Sequence, residues 1–235
     1  MQRETPITDS IAIDGPGAVG KTTVGRILAL QLGWLFLDTG AMYRAITLLV
    51  QQRGFDVESN ESHIVKLAES ADIQLTQDGS GLPRIFLSGT DVTDAIKSTE
   101  VERQVSLVSR ISGVRVALVR KQQEMARRGR IIMAGRDIGT VVMPGAKLKF
   151  FLTATPAIRA DRRFKEMYAG GSDHTYEGVL SDLIRRDKLD SERAISPLRP
   201  ADDAIMVDTT ALTLDQVVDK LFQYCQERKL ASSGK

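Results

Sequence analysis

The sequence predicts an α/β fold: five parallel strands in one sheet, with helices covering both faces to make three layers. Three observations predict it. Short apolar runs alternate with longer amphipathic runs along most of the chain, and the apolar runs close on glycine-rich or polar turns. The first such turn is Gly15-Pro16-Gly17-Ala18-Val19-Gly20-Lys21-Thr22, which fits the Gly-x-x-x-x-Gly-Lys-Thr pattern between a strand and a helix. Alternating strands and helices build a doubly wound sheet whose ligand edge lies at the carboxyl ends of the strands.

The glycine-rich turn carries its own chemistry. Glycines at 15, 17 and 20 let the backbone curl so that successive N–H groups point inward, and the following helix adds the positive end of its dipole. Residues 15–23, including Pro16, Ala18, Val19 and Thr23, therefore form a cradle for a nucleoside triphosphate such as ATP. Lys21 is placed to reach the β- and γ-phosphates and the Thr22 hydroxyl to hold Mg²⁺.

The elements follow in order. A strand over 11–14 leads into the loop, and the next helix carries Val24, Ile27, Leu28, Leu30 and Leu32 until Gly33 stops it. Residues 34–37 read as a second buried strand closing at Asp38, followed by a helix that opens Thr39-Gly40-Ala41-Met42-Tyr43-Arg44. Asp38, Thr39 and Arg44 thus stand beside the first loop at the ligand edge, whereas Tyr43 reads as packing. A helical run over 59–70 precedes alternating strands at 73–77 and 84–87, joined by the turn 78–81. An antiparallel hairpin has no place in a βαβ series, so 62–105 reads as an inserted subdomain. A hairpin without function is the plainer alternative. Residues 106–128 are mostly helical, 131–134 form a buried strand ending in Gly135-Arg136-Asp137, and 148–152 form the next strand. A helix from about 156, a break at 170–174, a helix from 176, a strand at 204–208 and a helix over 213–229 complete the chain. Residues 231–235 read as a disordered end.

Composition narrows the classes. With 235 residues the chain suits one domain with an insert, and 32 basic against 30 acidic residues leave no global field for nucleic acid or an anionic membrane. A single cysteine, Cys225, excludes an intrachain disulfide and fits a reducing compartment. Residues 1–10 are polar and no apolar run reaches membrane-spanning length, so a cytoplasmic monomer is expected.

The placement of arginines says more than their number. Joining a triphosphate to a phosphate acceptor brings two polyanions together, and fixed guanidinium groups are suited to neutralise them. Arg44 and Arg136 follow strands. Arg186, Asp190 and Arg193 fall at spacings of four and three, on one helix face. Arg159, Arg162 and Arg163 cluster before the break at 170–174, and 158–176 reads as a mobile helical lid. Asp38 and Asp137 stand at strand ends, where capping a helix is an equal alternative. His63 and His174 have no partner motif.

Four segments, 13–22, 38–44, 135–142 and 186–198, closely resemble the bacterial cytidylate kinases, in register from about Ile11 to Gln226 and with the long insert of the bacterial form. The resemblance implies phosphoryl transfer from ATP to CMP or dCMP with Mg²⁺. It implies that Arg44, Arg136 and Arg193 clamp the acceptor phosphate, and that Thr39, Ser106, Arg115 and Asp137 read the cytosine edge or line its pocket. Arg186 and Asp190 would hold the ribose, with Arg159, Arg162 and Arg163 as lid arginines and the insert as part of the monophosphate-binding region. The chain departs from the family at Ala134 and Gly145, where acids are usual, and Thr39 replaces the serine of some members. Competing readings are another small kinase acting on UMP or a small alcohol, or a nucleotide-dependent switch. The switch reading lacks an Asn-Lys-x-Asp motif, since the one asparagine is Asn60, followed by Glu61.

Overall fold

Strand β1 (Ser10–Asp14) is buried at all five positions because it is the centre of a sheet covered on both faces. The computed structural model describes residues 9–78, 82–169 and 175–230. The turn tip at 79–81, the break at 170–174 with His174, and the end at 231–235 lie outside the described residues. β1 pairs in parallel with β6 (Ile131–Gly135) on one side and β7 (Leu148–Thr153) on the other. Beyond them lie β2 (Leu35–Asp38) and β8 (Ile205–Asp208), giving the order β2-β6-β1-β7-β8, all parallel. Alternate residues face opposite layers. Ile11 and Ile13 join Val24 and Leu28 of α1 (Lys21–Leu32) and Leu221 and Cys225 of α8 (Leu214–Glu227). Ala12 and Met133 join Met42 and Ile46 of α2 (Thr39–Gln52) and Leu118 of α5 (Ser112–Ala126).

The segment between α2 and α5 holds α3 (Glu61–Ser70), a small antiparallel sheet and α4 (Thr99–Val108). Its strands are β3 (Ile73–Gln77), β4 (Pro83–Leu87) and the two-residue β5 (Thr90–Asp91), which the sequence reading did not identify. Ile64, Ala68, Ile85 and Val105 enter the same apolar cluster as Met42 and Leu118. The segment therefore shares the core of the main sheet. The remaining helices, α6 (Pro156–Ala169) and α7 (Tyr176–Glu192), form a separate layer packed through Ala160, Val179 and Leu183. Among the described residues, no helix is long and apolar enough to cross a membrane.

Three local expectations are corrected. The strand expected as buried at 34–37 is buried at Trp34, Phe36 and Leu37, but as a sheet edge pairing with β6 alone it leaves Leu35 47% exposed. The helix expected over 106–128 is two helices, broken at 109–111, where Ile111 adopts an extended conformation and buries its side chain. Arg193 lies beyond the end of α7 with an extended backbone, so it does not share a helix face with Arg186 and Asp190.

Asp14 joins the first loop to the turn that follows β6. Its Oδ1 accepts the Ile138 N–H at 2.8 Å and its Oδ2 the Gly139 N–H at 2.7 Å, anchoring the single π-helical turn Ile138–Val142. Burial pushes its carboxyl from an ordinary 3.8 up to about 6, against the lowering effect of the two N–H groups. A carboxyl raised on folding stabilises the native state fully below about pH 4, and that contribution is lost as pH rises through 6. Urea unfolding of Asp14→Asn against the parent should lose a change on the order of 3 kcal/mol between pH 4 and 7. Parallel pH profiles for the two proteins would contradict the raised carboxyl.

Candidate active site

The glycine-rich loop takes the shape that the sequence requires. Gly15 has φ +146°, and a Cβ there would stand 2.3 Å from the backbone oxygen of Leu152, so no side chain fits. Gly20, at φ +94°, turns the chain into α1. Lys21 is folded back on the loop, its Nζ donating to the Gly15 oxygen at 2.7 Å and the Pro16 oxygen at 2.6 Å. Burial and the neighbouring Arg136 push its pKa well below the ordinary lysine range, while Asp38, Asp14 and Asp190 pull it back. The Thr22 hydroxyl donates to Asp38 Oδ2 at 2.8 Å, and Asp38 Oδ1 caps α2 through the Gly40 N–H at 2.9 Å. Asp38 thus caps α2 and also lines the cavity.

A cavity of about 380 Å³ opens from this loop across the carboxyl ends of β2 and β6. Its wall carries Lys21 and six arginines, 44, 115, 136, 163, 186 and 193, against five carboxylates, Asp38, Glu102, Asp137, Glu166 and Asp190. Arg136 Nε donates to Asp190 Oδ2 at 2.8 Å, and Arg193 Nη1 lies 3.5 Å from Asp190 Oδ1. Burial would raise the Asp190 carboxyl, but Arg136 and the nearby arginines hold it below the usual range. At the far end Arg115 and Asp137 form a fully buried pair at 2.6 Å, with Arg193 Nη2 3.9 Å from the other Asp137 oxygen. Asp137 therefore caps no helix.

Two arginines on this wall are uncompensated. Among the described residues Arg44 and Arg186 have no carboxylate within ion-pair distance. Burial and Arg136 push the Arg186 pKa down to about 10, more than Asp190 restores. The buried Arg193 Nη2 also lacks a hydrogen-bond partner. Such groups await an anion, because a buried unpaired charge is costly.

Thr39 lines the cavity while its hydroxyl donates to the Ala134 oxygen at 2.9 Å. Gly17 to Thr23 line it too, whereas Gly15 and Pro16 lie behind and serve through their carbonyls. Ser106 is not on the wall; Ser109, one turn later, is, and its carbonyl accepts from Arg115 at 3.3 Å. The three arginines of α6 diverge. Arg163 faces the cavity, pairing with Glu102 of α4 and with Glu166. Arg162 binds the Thr209 hydroxyl and carbonyl at 3.0 and 2.7 Å, away from the wall. Arg159, 3% exposed, ties the Gly17 carbonyl at 3.1 Å to Asp187 at 2.6 Å and so braces the loop from behind. Glu102, Ser109 and Glu166 were not identified from sequence; none has a local motif, and only packing brings them here. Tyr43, read as packing, lines the cavity as well.

A cavity with a phosphate loop at one end and uncompensated arginines on its wall is suited to hold two phosphorylated molecules at once, which places the protein among the small phosphate-loop kinases. The chain belongs to the cytidylate kinase family, whose model matches residues 11–227. It is 46% identical to the cytidylate kinase of Bacillus licheniformis over 93% of this chain and 96% of that protein. It is 44% identical to that of Bacillus subtilis over 93% and 97%, and 49% identical to that of Exiguobacterium sibiricum over 92% and 96%.

The close approach at Gly15 gives a direct test. Gly15→Ala should destabilise the fold by about 1–3 kcal/mol, the scale of a forced backbone strain, and weaken binding of a fluorescent ATP analogue at least tenfold. Unchanged titration and thermal midpoint would show that the loop tolerates a side chain there.

Proposed function

We propose that the protein transfers the γ-phosphoryl group of ATP to CMP or dCMP, giving CDP or dCDP and ADP. The observation that carries this reading is the continuity of the cavity from the phosphate loop, past Arg136, to the buried Arg115–Asp137 pair. Lys21 and the loop N–H groups hold the triphosphate. Arg44, Arg136 and Arg193 clamp the acceptor phosphate, and Arg136 also borders the loop, since a Cβ at Gly17 would lie 3.6 Å from its Nη2. Arg186 and Asp190 serve the ribose. Arg163 is the lid cation for the transferred charge, and Arg159 supports the loop that it braces. Arg115 offers N–H groups to the cytosine O2 and N3, and Asp137 accepts from the 4-amino group. Thr39 completes the base pocket in this assignment, and Ser106, expected beside it, lies off the cavity wall.

The Thr22 hydroxyl and the Asp38 carboxylate are hard oxygen donors within 2.8 Å of each other, a set that fits Mg²⁺ with its retained waters. When bound, the ion neutralises charge on the triphosphate. Ala134 adds no oxygen from its side chain, so Asp38 is the acid beside Thr22. The attacking phosphate oxygen is already an anion at neutral pH and needs no base. This chain's part is alignment and fixed positive charge, with in-line transfer and no covalent enzyme intermediate. The segment 62–105 is assigned to monophosphate binding and 158–176 to the lid. The protein is proposed to act as a monomer. The buried, unpaired Cys225 suits a cytoplasmic setting.

The reading is tested by ADP release from ATP and Mg²⁺ with CMP, dCMP, UMP, AMP, GMP and dTMP offered separately. Turnover led by CMP and dCMP is expected; a lead by another monophosphate, or no stimulation, overturns it. Asp137→Ala should narrow the preference for CMP over UMP by about 1–3 kcal/mol, the cost of losing a buried polar contact. An unchanged preference would remove Asp137 from base reading.

A further inference from the structure

We infer that Tyr43 is a positioning residue for base recognition, its ring face holding the Arg115 guanidinium in line with Asp137. This rests on the reading of Arg115 as a base-contacting group. Arg115 is 3% exposed, so few waters can steady it, and its polar restraints are both at the tip. Nη2 donates to Asp137 Oδ2 at 2.6 Å and Nη1 to the Ser109 oxygen at 3.3 Å, while the buried Nε has no partner. Two bonds at the ends of a planar group leave it free to tilt about the line that joins them. The Tyr43 ring supplies the missing restraint: Arg115 Cζ lies 5.2 Å from the ring centroid, within the range of a cation–π contact and strengthened by the absence of water.

The origin of the two partners gives this contact its use. Tyr43 lies on α2, next to Arg44 and one turn after Thr39, whereas Arg115 lies on α5. The ring is 7% exposed, and the residue lines the cavity. It therefore transmits the placement of the phosphate-clamping helix to the base-reading arginine. The hydroxyl faces Gln122 and makes no hydrogen bond to Arg115 or Asp137, and burial pushes its pKa up to about 12. A ring that merely filled the core would instead matter equally for every substrate.

The test compares Tyr43→Phe, Tyr43→Leu, Arg115→Ala and the double variant Tyr43→Leu/Arg115→Ala. KM and kcat are measured for CMP and UMP at saturating ATP, and exchange of the Arg115 Nε–H is followed by NMR. Tyr43→Phe, which keeps the ring, should stay within about twofold of the parent. Tyr43→Leu should raise KM for CMP about tenfold, the scale of a desolvated cation–π contact, with the ATP KM unchanged and the preference over UMP reduced. In the Arg115→Ala background the leucine substitution should add nothing. Multiplying losses in the double variant would overturn the inference, and so would a Tyr43→Leu protein altered only in thermal midpoint. If Arg115→Ala leaves the CMP preference intact, the base-reading role of Arg115 fails by itself. The NMR arm then decides for Tyr43: faster Nε–H exchange in Tyr43→Leu but not Tyr43→Phe supports the ring as its support, and equal exchange in all three overturns it.

Discussion

Mutual repulsion among cations gathered in one cavity is the constraint on which the rest of this structure depends. Six arginines and Lys21 share a wall with only five carboxylates, and burial strips away the water that would screen them. Burial first, and a neighbouring arginine second, push Lys21, Arg186 and Arg193 down from their ordinary ranges. Asp190 and Asp137 hold the crowd together, each set between arginines. They neutralise part of the charge and leave part of it, at Arg44 and Arg186, for a ligand. Phosphates bound there, as proposed, would complete the neutralisation and stabilise the fold that binds them.

Holding such a cluster demands a rigid frame, and the sheet supplies it. β1, β2 and β6 end together, delivering the loop, Asp38 and Arg136-Asp137 to one edge. Asp14 ties the first of these to the third through two backbone N–H groups. Arg159 braces the loop from the opposite layer, spanning Gly17 and Asp187. The antiparallel segment shares a core with α2 and α5, the helices that carry Arg44 and Arg115.

Much of this was legible in the sequence, for physical reasons. The loop was readable because glycines at fixed spacing are required by backbone geometry, as the approach of Leu152 to Gly15 demonstrates. The five strands were readable from apolar runs, Arg136 and Asp137 from their positions at a strand end, and Arg44 from its place in the helix that follows β2. Helix spacing, by contrast, names a face but not what lies opposite. Arg159, Arg162 and Arg163 look alike in sequence, yet they reach the loop, Thr209 and the cavity respectively. Glu102 and Ser109 enter the wall only because α4 packs beside it and the chain breaks before α5. Tyr43 read as packing because an aromatic on an apolar face is usually that, and its contact with Arg115 spans 72 positions that no local pattern connects.

The central claim is that donor and acceptor phosphates meet on one cation cluster inside one cavity. Its most direct test is calorimetric binding of an analogue that joins cytidine to adenosine through five phosphates. The account predicts affinity well above that of ATP or CMP alone, since linking the two converts the second encounter into an intramolecular one. It also predicts that the matching adenosine–guanosine analogue binds far more weakly. An analogue that binds no tighter than ATP would mean that the two nucleotides do not occupy this cavity together.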